Sequence, residues 1–290
     1  MKDFKGRTAF VTGGASGIGL GMARAFGRAG MNVVVADIDA HAAKAAADRL
    51  VSEQIKAVPV RCDVTERGSV RETALETIAQ FGKVHVVCNN AGVAVAGPIG
   101  TVKERDWDWI IDVNLKGVVY GVETFAPLIK SHGEGGHFVN TASMAGLLAF
   151  PLAEPYTATK FAVVAMSEGW AGQLQPFDIG VSVLCPGFVR THIYDSGRSK
   201  PDRYGGKAEP MSEQGAQGIM NGIDPDIVGN RVVEAVRDND FYCFTHPNFR
   251  DVMEIRFDAI RQGFDKADKS EALKAVKVWP TIGGGLPGRD

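Results

Sequence analysis

Thr8-Ala9-Phe10-Val11-Thr12-Gly13-Gly14-Ala15-Ser16-Gly17-Ile18-Gly19 is the stretch that decides the fold. A short apolar run, Thr8–Val11, meets a glycine cluster, and a helical pattern over Ile18–Ala29 begins directly after it. Glycine suits such a junction, because the backbone must turn sharply and then approach an anion with no Cβ in the way. The free N–H groups and the dipole at the helix start favour a pyrophosphate. The spacing is Gly-x-x-x-Gly-x-Gly, and the same residues could make a glycine-rich helix start that binds nothing. Position carries the reading, since this is the first strand-to-helix junction of a chain that repeats the pattern.

Further strands are expected at Asn32–Ala36, Ala57–Arg61, Val84–Cys88, Gly136–Asn140, Gly180–Leu184 and Phe241–Phe244. Most are continuously apolar, as parallel strands buried on both faces should be. Helices are expected between them at Ala40–Glu53, Ser69–Phe81, Asp106–Ile129, Tyr156–Gln175 and Asp226–Arg237. The alternation predicts an α/β chain: one Rossmann-type, doubly wound parallel sheet of about seven strands with helices on both faces. Residues 1–246 form the dinucleotide-binding and catalytic domain in this reading. It includes a Gly/Ser/Lys/Pro-rich lid without regular structure over 191–223. Residues 247–290 add a C-terminal helical extension and a Gly/Pro-rich tail to the same domain.

Composition narrows the function classes. Hydrophobic residues are 45%, charged residues 23% and the net charge is −2, so no basic stripe offers itself to nucleic acid. No apolar run could span a bilayer, and Met1–Gly6 does not resemble a secretory signal. Cys62, Cys88, Cys185 and Cys243 lie far apart and read as buried thiols in a reducing compartment, with no metal set. The expectation is a cytoplasmic protein with neither membrane nor nucleic-acid partners.

The second strand ends at Asp37, about 20 residues past the glycine turn. A carboxylate there can accept both ribose hydroxyls of an adenosine and would repel a 2′-phosphate. Neither Ile38 nor Ser16 offers the cation that a 2′-phosphate needs. Asp37 could also be an ordinary strand-end turn residue. On balance the cofactor expected is NAD rather than NADP. Further on, Tyr156-Thr157-Ala158-Thr159-Lys160 sets a phenol and an ammonium on one helix face. A nearby Lys⁺, and the positive nicotinamide of NAD⁺, would lower the phenol pKa from about 10 towards a useful acid/base range. Spacing alone does not separate this from an exposed helix pair. Ser143, however, follows the strand around His137–Asn140 and so falls on the ligand-binding edge of the sheet.

With these residues in place the sequence resembles the short-chain dehydrogenase/reductase family over about Lys5 to Phe244. The turn resembles its cofactor motif, supplying Gly13, Ser16, Gly17, Ile18 and Gly19. Asp63-Val64 resembles its adenine-contacting pair, and Asn90-Ala91-Gly92 its central-strand motif. Pro186, Gly187, Val189 and Thr191 match the segment beside the nicotinamide. Asn114, Ser143, Tyr156 and Lys160 match the four catalytic positions. The resemblance implies that Tyr156 is the acid/base, Ser143 holds the substrate oxygen, and Lys160 binds the nicotinamide ribose and acidifies Tyr156. Asn114 would position a water leading from Lys160 to solvent. In isolation Asn114 could be a helix cap and Ser143 a turn residue. The resemblance also implies a homo-oligomer, tetramer or dimer, built on the helices at Asp106–Ile129 and Tyr156–Gln175.

The substrate is expected between Ser143–Pro155 and the lid. Ala145, Phe150, Leu152, Phe188, Ile193 and Tyr194, with Met144, would form a mostly apolar wall suited to a hydrophobic or aromatic secondary alcohol or ketone. Several of these could instead be core. Glu154 reads as a solvated charge, and His192 and His246 as a lid residue and a surface residue. Trp107 and Trp109 cannot share a helix face, so at least one should pack inward or meet a partner. More loosely, the Lys2-Asp3-Phe4 start, Asp108–Ile111 and the long C-terminus resemble bacterial members that oxidise lignin-derived aryl alcohols at the benzylic carbon. Two other readings stay open. One is an NADPH-dependent ketone or 3-oxoacyl reductase, and the other a non-catalytic NAD(H)-binding sensor or scaffold.

Overall fold

The structure, a computed structural model, describes residues 1–278, the Gln214 side chain excepted. The last part of the expected Gly/Pro-rich tail, 279–290, lies outside the described residues. Two compact units meet between Thr245 and His246.

In the first unit the strands are β1 Thr8–Thr12, β2 Asn32–Asp37, β3 Ala57–Arg61, β4 Val86–Asn89, β5 Gly136–Thr141, β6 Ile179–Cys185 and β7 Tyr242–Phe244. They form one sheet in the order β3-β2-β1-β4-β5-β6-β7, and every pairing is parallel. The chain winds outward from β1 in one direction and from β4 in the other. This leaves a crevice where the carboxyl ends of β1 and β4 part. The doubly wound α/β sheet read from the sequence is therefore the fold. β3, an edge strand, tolerates Pro59 because one side of it has no ladder to feed.

The helices are α1 Gly17–Arg28, α2 Ala40–Ser52, α3 Arg67–Phe81, α4 Glu104–Ile111, α5 Gly117–His132, α6 Glu154–Leu174, α7 Glu213–Met220 and α8 Pro225–Asp238. Each face of the sheet carries its own apolar cluster. Met22 and Phe26 of α1, Leu50 of α2 and Val232 of α8 fill one. Val70 of α3, Trp109 and Ile110 of α4, and Phe125 of α5 fill the other, with Phe10 and Phe138 from the sheet. Burying each large side chain contributes about 2 kcal/mol. α1 and α8 cross with their backbones in contact: a Cβ on Gly229 would lie 2.2 Å from the Gly21 carbonyl oxygen. All four cysteines are free and buried.

Two expectations need correction. The single helix expected over Asp106–Ile129 is α4 and α5 joined by one π-helical turn, Asp112–Lys116. Such turns insert a residue into the helical repeat and often mark functional positions. The lid is not devoid of regular structure either. It contains 3-10 turns at Ile193–Ser199 and Asp202–Tyr204, and then α7.

In the second unit, α9 spans Arg250–Asp268 and presents Val252, Ile255, Phe257, Ile260 and Phe264 as exposed side chains. Among the described residues no helix is long and apolar enough to cross a membrane.

Candidate active site

At the crevice, Gly13 and Gly17 hold φ of +60° and +52°, backbone that L side chains rarely adopt. The turn they build is tight, and a Cβ on Gly19 would meet the Gly13 carbonyl oxygen at 2.1 Å. Thr12 ties the turn to β4: its hydroxyl donates to the Cys88 carbonyl and accepts from the N–H groups of Asn90 and Ala91. The Asn90 amide donates to the Thr12 carbonyl at 3.0 Å. Ser16 stands at the N-cap of α1 in extended backbone and makes no side-chain cap hydrogen bond. By contrast, Asp39 caps α2 through the N–H groups of His41 and Ala42. The first turn of α1, through Gly17, Ile18 and Gly19, is thus left without a side-chain cap at the mouth of the crevice.

Asp37, half-buried at the end of β2, accepts from the Ala15 N–H at 3.2 Å and from the Asp39 N–H at 3.2 Å. Burial pushes its carboxyl above the usual value, against those hydrogen bonds. Asp63 is buried past β3, and Val64 packs where a Cβ on Gly117 would touch it at 3.0 Å. Thr191 lies across from the turn, its methyl 2.9 Å from a Cβ built on Gly17. Pro186 is buried and its carbonyl accepts from the Met144 N–H at 2.8 Å. Val189 is buried and pairs with Ile223, so the two ends of the lid are laced together. An uncapped helix start, a carboxylate at the ribose distance along the chain and a glycine-walled cleft fit a dinucleotide.

The four candidate catalytic residues converge. Tyr156 and Lys160 lie in the first turns of α6, started by Pro155 inside its first turn. Ser143 follows β5 and its hydroxyl is set against the Tyr156 phenol, where it favours the ionised form. It also accepts from the Ala145 N–H at 3.0 Å, which fixes its position. Lys160 is 3% exposed and donates to the Thr141 carbonyl at 2.8 Å. Its ammonium lies 5.6 Å from the Tyr156 ring centroid. Burial pulls the Lys160 ammonium down to about 8. Burial also pushes the Tyr156 phenol up, with the Ser143 hydroxyl opposing it. In the chain alone, without the positive nicotinamide that the expectation also invoked, burial outweighs Ser143 and the phenol is raised. One of the three Lys160 N–H donors goes to the Thr141 carbonyl, and burial disfavours charge on both Lys160 and Tyr156.

Asn114 sits inside the π turn, fully buried. Its side chain accepts from the Val93 N–H at 2.8 Å and donates to the Val93 carbonyl at 2.9 Å and to Thr159 at 3.3 Å. It is not a helix cap. A Cβ on Gly92 would lie 3.5 Å from both the Asn114 Oδ1 and the Lys160 Nζ, so the two side chains flank the same spot.

The lid is held at several points that sequence reasoning missed. The Ser196 hydroxyl accepts from the Ala94 N–H at 3.0 Å. Buried Lys200 pairs with Asp106 of α4 and lies over Trp109, 5.5 Å from its ring. Arg203 donates to Asp63 at 2.8 Å and to Thr65. Tyr204 donates to Asp112 of the π turn at 2.6 Å. No motif announces these residues, because charges in a polar loop look solvated until the fold supplies partners far along the chain.

Of the expected substrate wall, Ala145 and Met144 are buried, Ile193 and Tyr194 half-buried, and Phe150, Leu152 and Phe188 exposed. Leu152 adopts φ +68°, held by bonds from its N–H to Glu154 and from Gly97 to its carbonyl. Glu154 is exposed. Trp109 packs inward and Trp107 is half-buried. At the opposite edge of the sheet, His85, His132 and Glu134 come together, a grouping no sequence motif displays. All four ring nitrogens are engaged: Nδ1 of each histidine accepts a backbone N–H, and the Nε2 atoms reach Glu134 and the Val84 carbonyl. With Nδ1 accepting, each Nε2 carries the proton and has no lone pair for a cation.

Comparison with known proteins agrees with this geometry. The short chain dehydrogenase family model matches residues 7–202. A C alpha-dehydrogenase of Sphingobium sp. is 37% identical over 289 residues, 96% of this chain and 95% of that protein. A 3-oxoacyl-[acyl-carrier-protein] reductase of Thermotoga maritima is 34% identical over 192 residues, 64% of this chain and 76% of that one. Among solved structures, a short chain dehydrogenase/reductase from Burkholderia phymatum in complex with NAD superposes with a TM-score of 0.86. It is 35% identical and covers 91% of this chain and 97% of that chain.

Proposed function

Since this chain belongs to the short-chain dehydrogenase family and is an oxidoreductase of that kind, we propose that it uses NAD(H) to interconvert a hydrophobic or aromatic secondary alcohol and its ketone. The observation that carries this reading is the Ser143 hydroxyl set against the Tyr156 phenol beside Lys160, on the same sheet edge as the uncapped α1 and Asp37.

When bound, the nicotinamide supplies or accepts the hydride. The residues of the chain do the rest. Ser143 holds the substrate oxygen, as an oxyanion-hole donor does, with its own position fixed by the Ala145 N–H. Tyr156 takes the alcohol proton at its phenolic oxygen in oxidation and returns it in ketone reduction. Lys160 stabilises the phenolate, since ammonium and phenolate in one buried site offset each other's desolvation. Asn114, locked to both backbone groups of Val93, keeps the space beside the Lys160 ammonium polar. Gly17, Ile18 and Gly19 offer backbone N–H groups to a pyrophosphate. Asp37 takes the adenosine ribose and disfavours a 2′-phosphate. Asp63, Val64, Asn90, Ala91, Gly92, Pro186, Gly187, Val189 and Thr191 line the remainder of the cofactor groove.

The choice of substrate rests on the exposed apolar Phe150, Leu152 and Phe188 around the site and on the likeness to a C alpha-dehydrogenase. The test is a screen of aryl, steroidal and alicyclic secondary alcohols, read by NADH absorbance and run in parallel with NAD⁺ and NADP⁺. Turnover of aryl alcohols with NAD⁺ supports the proposal. Activity confined to NADPH and 3-oxoacyl thioesters would establish the reductase reading instead.

A further inference from the structure

The cofactor groove contains a cation that the chemistry above does not use. Arg203 comes from the lid, 140 residues from Asp63 in sequence, yet its Nη2 donates to the Asp63 Oδ2 at 2.8 Å. The other carboxylate oxygen already accepts twice from Thr65, through its N–H at 3.0 Å and its hydroxyl at 2.7 Å. Burial would raise the Asp63 carboxyl, but the bonds from Arg203 and Thr65 override it and hold it below its usual value. Asp63 is thus a fully ionised, 5% exposed carboxylate whose charge is neutralised by a guanidinium. Arg203 itself is held by Thr65, by a longer contact with Glu66 at 3.6 Å, and by the Tyr204 ring at 5.0 Å.

A free carboxylate at the adenine end of a nucleotide groove recognises an exocyclic amino group, which donates to it, and repels a carbonyl oxygen. Neutralised by a guanidinium, it loses most of that selectivity, because the cation offers donors to the carbonyl in turn. We propose that Arg203 is a specificity-determining residue for the base of the dinucleotide: the lid delivers it onto Asp63, which exchanges recognition of the 6-amino group for attachment of the lid. Base recognition and lid closure are then one equilibrium, and whatever competes for Asp63 also loosens the lid.

This inference rests on the proposed dinucleotide site, and the test separates the two. Tryptophan quenching on the full-length protein would give Kd values for NADH and for its hypoxanthine analogue, in wild type and in Arg203→Met and Arg203→Lys. Arg203 is 42% exposed along its side chain, so both variants should fold. Wild type should bind the two cofactors within about twofold of each other. Arg203→Met, with Asp63 unmasked, should prefer NADH by about tenfold, the size of one hydrogen bond to a charged group. Arg203→Lys, which keeps the charge, should stay near wild type. Trypsin should cleave the lid of Arg203→Met faster at Arg198 and Lys207. The inference is overturned if Arg203→Met shows the same cofactor ratio as wild type, or the same lid digestion. Failure of wild type to bind either cofactor would instead remove the dinucleotide reading itself.

Discussion

Tyr204 of the lid and Asp112 of the π turn are joined by a phenol-to-carboxylate hydrogen bond of 2.6 Å, across 92 residues of sequence. Asp112 is in the same turn as Asn114, so the 191–223 segment is fastened to the segment that flanks Lys160. The other oxygen of Asp112 pairs with Lys116 at 2.7 Å, which holds the side chain in place.

Tyr204→Phe should therefore loosen the lid without unfolding the chain. The expected loss is about 1–2 kcal/mol of unfolding free energy, the worth of a hydrogen bond to a charged acceptor. Trypsin should reach Arg198 and Arg203 sooner. An unaltered digestion rate would mean that Ser196, Lys200 and Arg203 hold the lid without Tyr204.

Tyr156→Phe removes the phenolic oxygen and leaves the ring. Turnover should fall by about a thousandfold, within the usual range for losing a general acid/base, while the Kd for NADH stays within about threefold. Substantial residual turnover would take Tyr156 out of its role.

Asp37→Ala should relax the cofactor preference. Removing the carboxylate proposed to accept the ribose hydroxyls should lower the ratio of kcat/KM for NAD⁺ over NADP⁺ by at least about tenfold. An unchanged ratio would show that another residue sets it.

Lys160→Met tests what burial of the ammonium costs. The Lys160 pKa falls from the ordinary 10.5 to about 8 in the fold. Below about 8 both folded and unfolded chains carry the charge, so the folded state bears the whole desolvation cost. As pH rises through that value the folded state sheds its proton first, and wild type gains stability until about 10.5, where the unfolded chain follows. The shift bounds the cost at about 3 kcal/mol, offset in the variant by the Thr141 carbonyl left without its donor. Urea unfolding should find Lys160→Met inactive yet more stable by about 1 kcal/mol at neutral pH, with its advantage shrinking above about pH 8. An advantage that is flat with pH would mean that the Lys160 pKa is the same in the folded and unfolded chains, so that its burial does not penalise the charge.

The sheet was legible in the sequence because its strands are apolar on both faces, as at Asn32–Ala36, and because the glycine turn marks where winding begins. The places of Asp37, Ser143, Tyr156 and Lys160 followed from where strands end and helices start. The helix break at Asp112–Lys116 was not legible, since one inserted residue leaves the local hydrophobic pattern almost unchanged. Nor was the lid. Lys200, Arg203 and Tyr204 have partners at Asp106, Asp63 and Asp112 that only the tertiary fold brings within reach. Spacing also left out the burial that raises the Tyr156 phenol in the chain alone. Spacing on a helix shows that two side chains are neighbours, but not that Lys160 points a donor at Thr141.

The four buried cysteines have a practical consequence. Burial pushes the Cys62 thiol up to about 11 and those of Cys185 and Cys243 to about 12, and raises Cys88 as well. Attack on electrophiles and peroxide runs through the thiolate, so a chain with none at neutral pH is chemically quiet. The folded protein should come through iodoacetamide or mild peroxide with no mass added at sulfur on its cysteines, and it should need no reducing agent during storage.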